Sequence, residues 1–378
     1  MEGKPAIGIT LFLSYLVLVI NGDPAEPNQD ENIGSILIHR YVNKTIQAED
    51  GDVYDCIDIN RQPALNHPLL KGHIIQMKPS SYPSGLDIQS ELPPNISQAQ
   101  LPNIECPGGT IPILRKIKVH KEVTMPLLNI GTMDDKQGEK AAIRYWDDNH
   151  GTRAAINIFE PLMTRTNGDL SASWAQINNG LEAIGAGSMI WPSYSGDNFA
   201  RLHVHWVDSA NKPCYDLDCP GFVQVDPNAG IGGRMQSVST YNGPQYQYDV
   251  IFFQDWWFAV GDKNVPVGYR PIGYWPSSLF SAMKDKAHFC FWGGLVRGPT
   301  ASTDPPLMGS GHFAAEGFGK AAFVRDIKVV DGSNKFVNPN AGKARPGSSR
   351  QQCYTVDGFG VNDGGMHTFY GGPGHCRD

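Results

Sequence analysis

The chain has 378 residues, with 31 Lys and Arg against 38 Asp and Glu, for a formal net charge of −7. That mildly acidic balance excludes the basic face that nucleic-acid binding relies on. Charged residues are only 18% of the chain, and 42 Gly with 28 Pro imply frequent turns, a mix that favours an all-β fold.

In chain order, the first element is a secretory signal over residues 1–22. Lys4 supplies its positive end, Ile7 to Ile20 is an apolar run, and small Gly22 fits the position before cleavage. The run is shorter than the ~20 apolar residues that span a bilayer. No later segment is apolar enough to cross one, so a soluble exported protein with no membrane partner is expected. Export permits disulfides, and there are seven cysteines. Cys214 and Cys219 can close a small loop, and Cys353 with Cys376 can tie down the C-terminus. Cys56 and Cys106 flank the N-terminal segment. Cys290 is left over between Phe289 and Phe291 and reads as a buried, inert thiol.

The segment that follows, to about residue 130, is poor in large side chains. All eight tryptophans lie between Trp146 and Trp292, and Phe12 is the only phenylalanine before residue 140. The segment is rich in proline and carries two glycosylation sequons, Asn43-Lys44-Thr45 and Asn95-Ile96-Ser97. Lacking core-forming residues, it should depend on the larger domain for its order. A polar run from Gly131 to Gly138 reads as an exposed linker over 131–139, open to proteolysis.

From residue 140 to 378 the pattern has period two. Ile156 and Ile158 share one face of their run; Leu202, Val204 and Trp206 share one face of theirs, opposite His203 and His205. Turns such as Asn242-Gly243-Pro244 separate these runs. Short alternating strands with frequent turns predict an antiparallel two-sheet β-sandwich preceded by a smaller pro-segment.

Several ordered blocks carry a family resemblance. They are Tyr54-Asp55-Cys56-Ile57-Asp58, Gln62-Pro63-Ala64-Leu65-Asn66-His67-Pro68, Cys214-Tyr215-Asp216-Leu217-Asp218-Cys219-Pro220-Gly221-Phe222, Gly273-Tyr274-Trp275-Pro276, Met308-Gly309-Ser310-Gly311-His312-Phe313, and Phe369-Tyr370-Gly371-Gly372-Pro373-Gly374. The chain resembles the plant neprosin family over nearly all of its exported length. The resemblance implies a secreted zymogen with an activation peptide, here 23–130, and a prolyl-cleaving glutamic endopeptidase domain, here 140–378. It implies a cleft across one sheet, where glutamates from neighbouring strands face each other. One activates water and the other, protonated, polarises the scissile carbonyl. The family's first glutamate follows Ile in Ile-Glu-x-Gly, and the second follows Trp-Gly-Gly. In this chain those positions are Gly185 and Leu295. Neither residue can exchange a proton.

Glu182 lies three residues from Gly185, so in a regular strand it faces the other way; only a bulge would make it a displaced acid. The resemblance also suggests Trp191, Trp275, Trp292, His312, Glu316 and Tyr370 as cleft-lining residues. The paired His203 and His205 read as a solvated strand face rather than the start of a metal site, and no cofactor is expected. Two readings follow. One is an impaired or pseudo-peptidase, a monomer in the plant extracellular space (the apoplast), binding proline-containing peptides or an extracellular protein. The other is an active peptidase using Glu182, with a purely structural extracellular protein as the remaining possibility.

Overall fold

The computed structural model describes residues 41–85, 95–115, 138–163 and 168–376. The signal segment and residues 131–137 of the linker lie outside the described residues. The N-terminal segment contributes β1 (Val42–Gln47), β2 (Val53–Asp58), β3 (Ile96–Gln98) and β4 (Thr110–Leu114). The larger part supplies β5 (Gly138–Asn149), β6 (Thr152–Asn157), β7 (Leu170–Asn179), β8 (Glu182–Ile190), β9 (Arg201–Val207), β10 (Pro213–Tyr215), β11 (Val223–Gln224) and β12 (Gln245–Phe253). It continues with β13 (Trp257–Gly261), β14 (Tyr269–Tyr274), β15 (Ala287–Arg297), β16 (Ala322–Val330), β17 (Phe336–Val337), β18 (Ala344–Ser348), β19 (Thr355–Asn362) and β20 (Gly365–Gly371). Gly138 and Glu139 therefore already belong to a strand rather than to the linker.

These strands form two large sheets. The first has seven strands in the order β10-β9-β8-β7-β15-β5-β18, every pair antiparallel. The second has ten strands along β11-β14-β13-β12-β6-β16-β20-β19, with β17 beside β16 and β3 beside β12. Period-two alternation sends one set of side chains from each sheet into a common core. Ile143, Ile177, Ile184, Val204 and Trp292 come from the first sheet, and Ile156, Val250, Phe258, Ile272 and Tyr370 from the second. Trp292 Nε1 crosses that core to donate to Thr152 Oγ1 at 3.1 Å. The Cys290 thiol is buried on the same side, and burial raises its pKa well above the ordinary value, which keeps it unreactive.

The N-terminal segment is built into this sandwich. β1, β2 and β4 make a separate three-stranded sheet, with Cys56 and Cys106 joined by a disulfide. β3 extends the ten-stranded sheet by pairing parallel to β12, Ile96 opposite Gln245. Ile59, Ala64, Leu70 and Ile111 enter the main core. Polar contacts are equally specific. Gln62 Nε2 donates to the Gln224 carbonyl at 3.1 Å, and the Gln224 amide donates back to Gln62 Oε1 at 2.9 Å. Arg201 on β9 is held between Asp52 Oδ2 at 2.7 Å and Asp197 Oδ2 at 2.5 Å. Breaking a buried ion pair by removing one partner costs about 3–5 kcal/mol, so this cluster anchors the segment firmly. The two remaining disulfides join Cys214 to Cys219 and Cys353 to Cys376.

Candidate functional site

Gly185 and Leu295, where the resemblance places the family's glutamates, both fall on the face of the seven-stranded sheet that points away from the core. β8 and β15, which carry them, are not neighbours: β7 runs between. Gly185 is opposite Gln176 of β7, and Leu295 is opposite Ala172. The two rows are four residues apart along β7, about 13 Å at the strand rise. The only carboxylate on β7, β8 or β15 is Glu182.

Trp174 dominates this face. It sits opposite Gly187 on one side and Gly293 on the other. Its indole lies against Gly185, where a Cβ would stand 2.6 Å from Nε1, and that nitrogen donates to Gln176 Oε1 at 3.1 Å. Leu295 is only 2% exposed and packs in an apolar cluster with Ala172, Met189 and Phe291. An indole thus lies against position 185, and apolar side chains surround position 295.

Glu182 is no substitute. It begins β8 without a bulge, and its parity points it away from the Gly185 face. Its carboxylate accepts from the Ser281 amide at 2.9 Å, Ser281 Oγ at 2.5 Å and the Met283 amide at 2.7 Å. These bonds use the group to hold the loop that enters β15. The displaced-acid expectation is therefore corrected by strand parity and by full hydrogen bonding.

Of the suggested cleft residues, only Trp191 lies on this face. It stacks on Tyr194 with ring centroids 4.5 Å apart and meets Tyr215 edge-on at 5.3 Å. Trp275 is buried between the sheets against Phe222, Trp206 and Phe252. Trp292 and Tyr370 also point into the core, the latter packed on Gly294, where a Cβ would lie 2.7 Å from the Tyr370 ring. His312 and Glu316 form a surface tripod with Tyr241. His312 Nδ1 is 3.0 Å from Glu316 Oε1, Tyr241 donates to Glu316 Oε2 at 2.9 Å, and the Tyr241 and His312 rings stack. These side chains are corrected from cleft walls to core and surface structure.

The residues whose surroundings the sequence misjudged are polar and buried beside the face. His203 and His205 are 1% and 0% exposed, so the solvated reading is overturned. His205 is the immediate cross-strand neighbour of Gly185, and His203 of Gly187. The Cys214–Cys219 loop brings Asp216 to His203, with Oδ2 2.8 Å from Nδ1. Asp216 adopts a left-handed backbone, φ 52°, to do so. A single helical turn, Pro192–Ser195, ended by left-handed Gly196, presents Tyr194, whose hydroxyl donates to Asp218 Oδ2 at 2.6 Å. Among the described residues His203 Nε2 has no partner, which is the geometry of a general base held by a carboxylate. His203 lines a cavity of about 60 Å³ shared with Asp52, Leu114 and Arg115 of the N-terminal segment. Among the described residues His205 has no partner on either nitrogen, and burial, helped by the Arg297 charge, lowers its pKa to about 3. Among the described residues no group of three or more His, Cys, Asp or Glu could hold a metal ion.

The neprosin domain model matches residues 167–373, and the neprosin activation peptide model matches 45–151. The chain belongs to the neprosin family. The activation-peptide match runs through β5, which lies between β15 and β18 in the seven-stranded sheet. Two solved structures of scytalido-glutamic peptidase, one with a peptide-based transition-state analogue and one with a transition-state analogue inhibitor, are similar at 9% identity and a TM-score of 0.30. They cover 63% and 62% of this chain and 98% of their own. At that level they add nothing to the family assignment.

Two outcomes follow for this neprosin-family chain. Glu182→Ala strips three donors of their acceptor and should cost about 2–4 kcal/mol, read as a lowered unfolding temperature. A variant as stable as the parent would contradict the structural role. For His205, the unfolded imidazole takes up a proton near pH 6.5 while the folded one resists until about 3. Between those values the unfolded state binds more protons, so stability falls as pH falls. Thermal unfolding from pH 7 to 3 should show a shallower decline in His205→Phe than in the parent; parallel curves would refute it.

Proposed function

We propose that this neprosin-family protein is exported, has lost glutamic peptidase chemistry, and binds proline-containing peptides without cutting them. The observation that carries the reading is the Trp174 indole packed where a side chain on residue 185 would project. Activating a water for attack on an amide needs one group to take its proton and another to polarise the carbonyl. Gly185 and Leu295 can do neither, and the Glu182 carboxylate is committed to the Ser281–Met283 loop. Three disulfides, and the lack of a membrane-crossing helix among the described residues, support a protein suited to an oxidising exterior.

The binding half of the reading rests on the aromatic character of the same face. Trp174, Trp191, Tyr194, Tyr215, Phe289 and Phe291 cluster there. Aromatic-lined grooves accept proline rings because the rigid ring loses little entropy and covers apolar surface. In the uncut chain these side chains are out of solvent, so access requires opening the chain first. We place that opening at a cut in the polar run from Gly131 to Gly138, made by another protease.

The test is isothermal titration of chain cut in that interval with a proline-containing peptide, beside a turnover assay on the same sample at pH 3–6. Binding with no hydrolysis is expected, and Leu295→Asp should weaken it at least about tenfold by placing a charge in an apolar contact. Hydrolysis by the parent would overturn the loss of chemistry, and absence of binding would overturn the peptide reading.

A further inference from the structure

The outward face of the ten-stranded sheet carries an aromatic patch with no part in the reading above. Phe323 of β16 and Phe369 of β20 are direct cross-strand partners, and His367 lies two residues along β20 on the same face. Phe318, from the turn before β16, stacks on Phe323 with ring centroids 6.0 Å apart and planes at 27°. Phe323 is buried, but Phe318 is 47% exposed. These rings line an open cavity of about 350 Å³, with Asn95 and Ile96 forming another wall. That volume is at the lower end of small-ligand sites, roughly 300–1,000 Å³.

Asn95 begins the sequon Asn95-Ile96-Ser97 and is exposed. Its position is fixed, because Ile96, Ser97 and Gln98 pair with Gln245, Tyr246 and Gln247 of β12. An acceptor asparagine is therefore held at the edge of a cavity walled in part by three phenylalanines. We propose that this cavity seats the glycan carried by Asn95, with the first sugars lying over Phe318 and Phe323. The inference rests on the export proposed above, since attachment occurs only along that route. There the Asn95 side-chain nitrogen attacks C1 of a lipid-linked oligosaccharide. The N–C1 bond forms, the C1–O bond to diphosphate breaks, and the lipid diphosphate and one proton leave.

The chemistry of the seat suits a sugar. A pyranose presents C–H groups with partial positive charge on one face, and an aromatic ring presents a negative π face. Covering Phe318 in this way also removes apolar surface from water, whereas an uncovered aromatic patch on an exported protein invites association. Asn43, the other sequon asparagine, is exposed on β1 of the small sheet. It does not line this cavity, so it serves as the internal control.

The experiment uses full-length protein secreted from a eukaryotic host, with peptide mass spectrometry of both sequons and timed enzymatic glycan release from the native fold. Asn95 should be occupied and should lose its glycan more slowly than Asn43. Phe318→Ala should speed release at Asn95 about fivefold, equivalent to about 1 kcal/mol, and leave Asn43 unchanged. Ser97→Ala, which abolishes the sequon and leaves the rings intact, should increase binding of an apolar fluorescent dye. A bare Asn95 beside an occupied Asn43, an unchanged release rate in Phe318→Ala, or unchanged dye binding in Ser97→Ala overturns the seat. Two bare asparagines in a protein that is not secreted overturn the export reading along with it.

Discussion

The close approach of β8 to the Trp174 indole governs the candidate face. Gly185 and Gly187 both lie against that ring: a Cβ at 185 would stand 2.6 Å from its nitrogen, and one at 187 would be 3.0 Å from its Cε3 and overlap the Ser173 carbonyl. The indole can lie flat on the strand only because these positions lack side chains. Glycine at position 185 is thus matched to the indole beside it. Restoring a glutamate there would overpack the face unless Trp174 were trimmed as well, and overpacking of this kind typically costs about 1–3 kcal/mol. Leu295 joins the same apolar cluster. The neutral His205, beside Gly185 in the next strand, adds a buried base that carries no charge at ordinary pH.

The N-terminal segment is tied to the sandwich by the same kind of specific contact. It gives β3 to the ten-stranded sheet, side chains to the main core, and Asp52 to the buried Arg201 cluster. Tyr274 of β14 accepts the Gln76 amide at 2.9 Å and meets His73 Nε2 at 2.7 Å. Asp52, Leu114 and Arg115 also wall the small cavity in front of His203. Opening the face therefore means disturbing a well-packed interface.

Much of this was legible in the sequence through period two. Alternation put Leu202, Val204 and Trp206 in the core and sent Glu182 to the face opposite Gly185, and the structure agrees at each position. The same rule, applied to Trp292, would have moved it off the Leu295 face, because three residues separate them. The family motif obscured that. Tyr370 and Trp275 were misplaced because their contacts, Gly294 and Phe222, are distant in sequence and depend on how the sheets stack. His203 and His205 looked solvated because alternation reveals which residues share a face, not whether that face meets water. Asp216 reaches His203 through a disulfide-closed loop with a left-handed residue, a geometry that spacing alone does not encode.

The central claim is that this face holds no pair of glutamates to activate water and polarise a carbonyl. It is tested most directly by the chain acting on itself. Purified full-length protein would be held at pH 3 to 5 with inhibitors of contaminating serine, cysteine and metal-dependent proteases, and its intact mass followed over days. The account predicts an unchanged mass throughout. Release of the N-terminal segment, at a rate independent of protein purity and inhibitor, would contradict it.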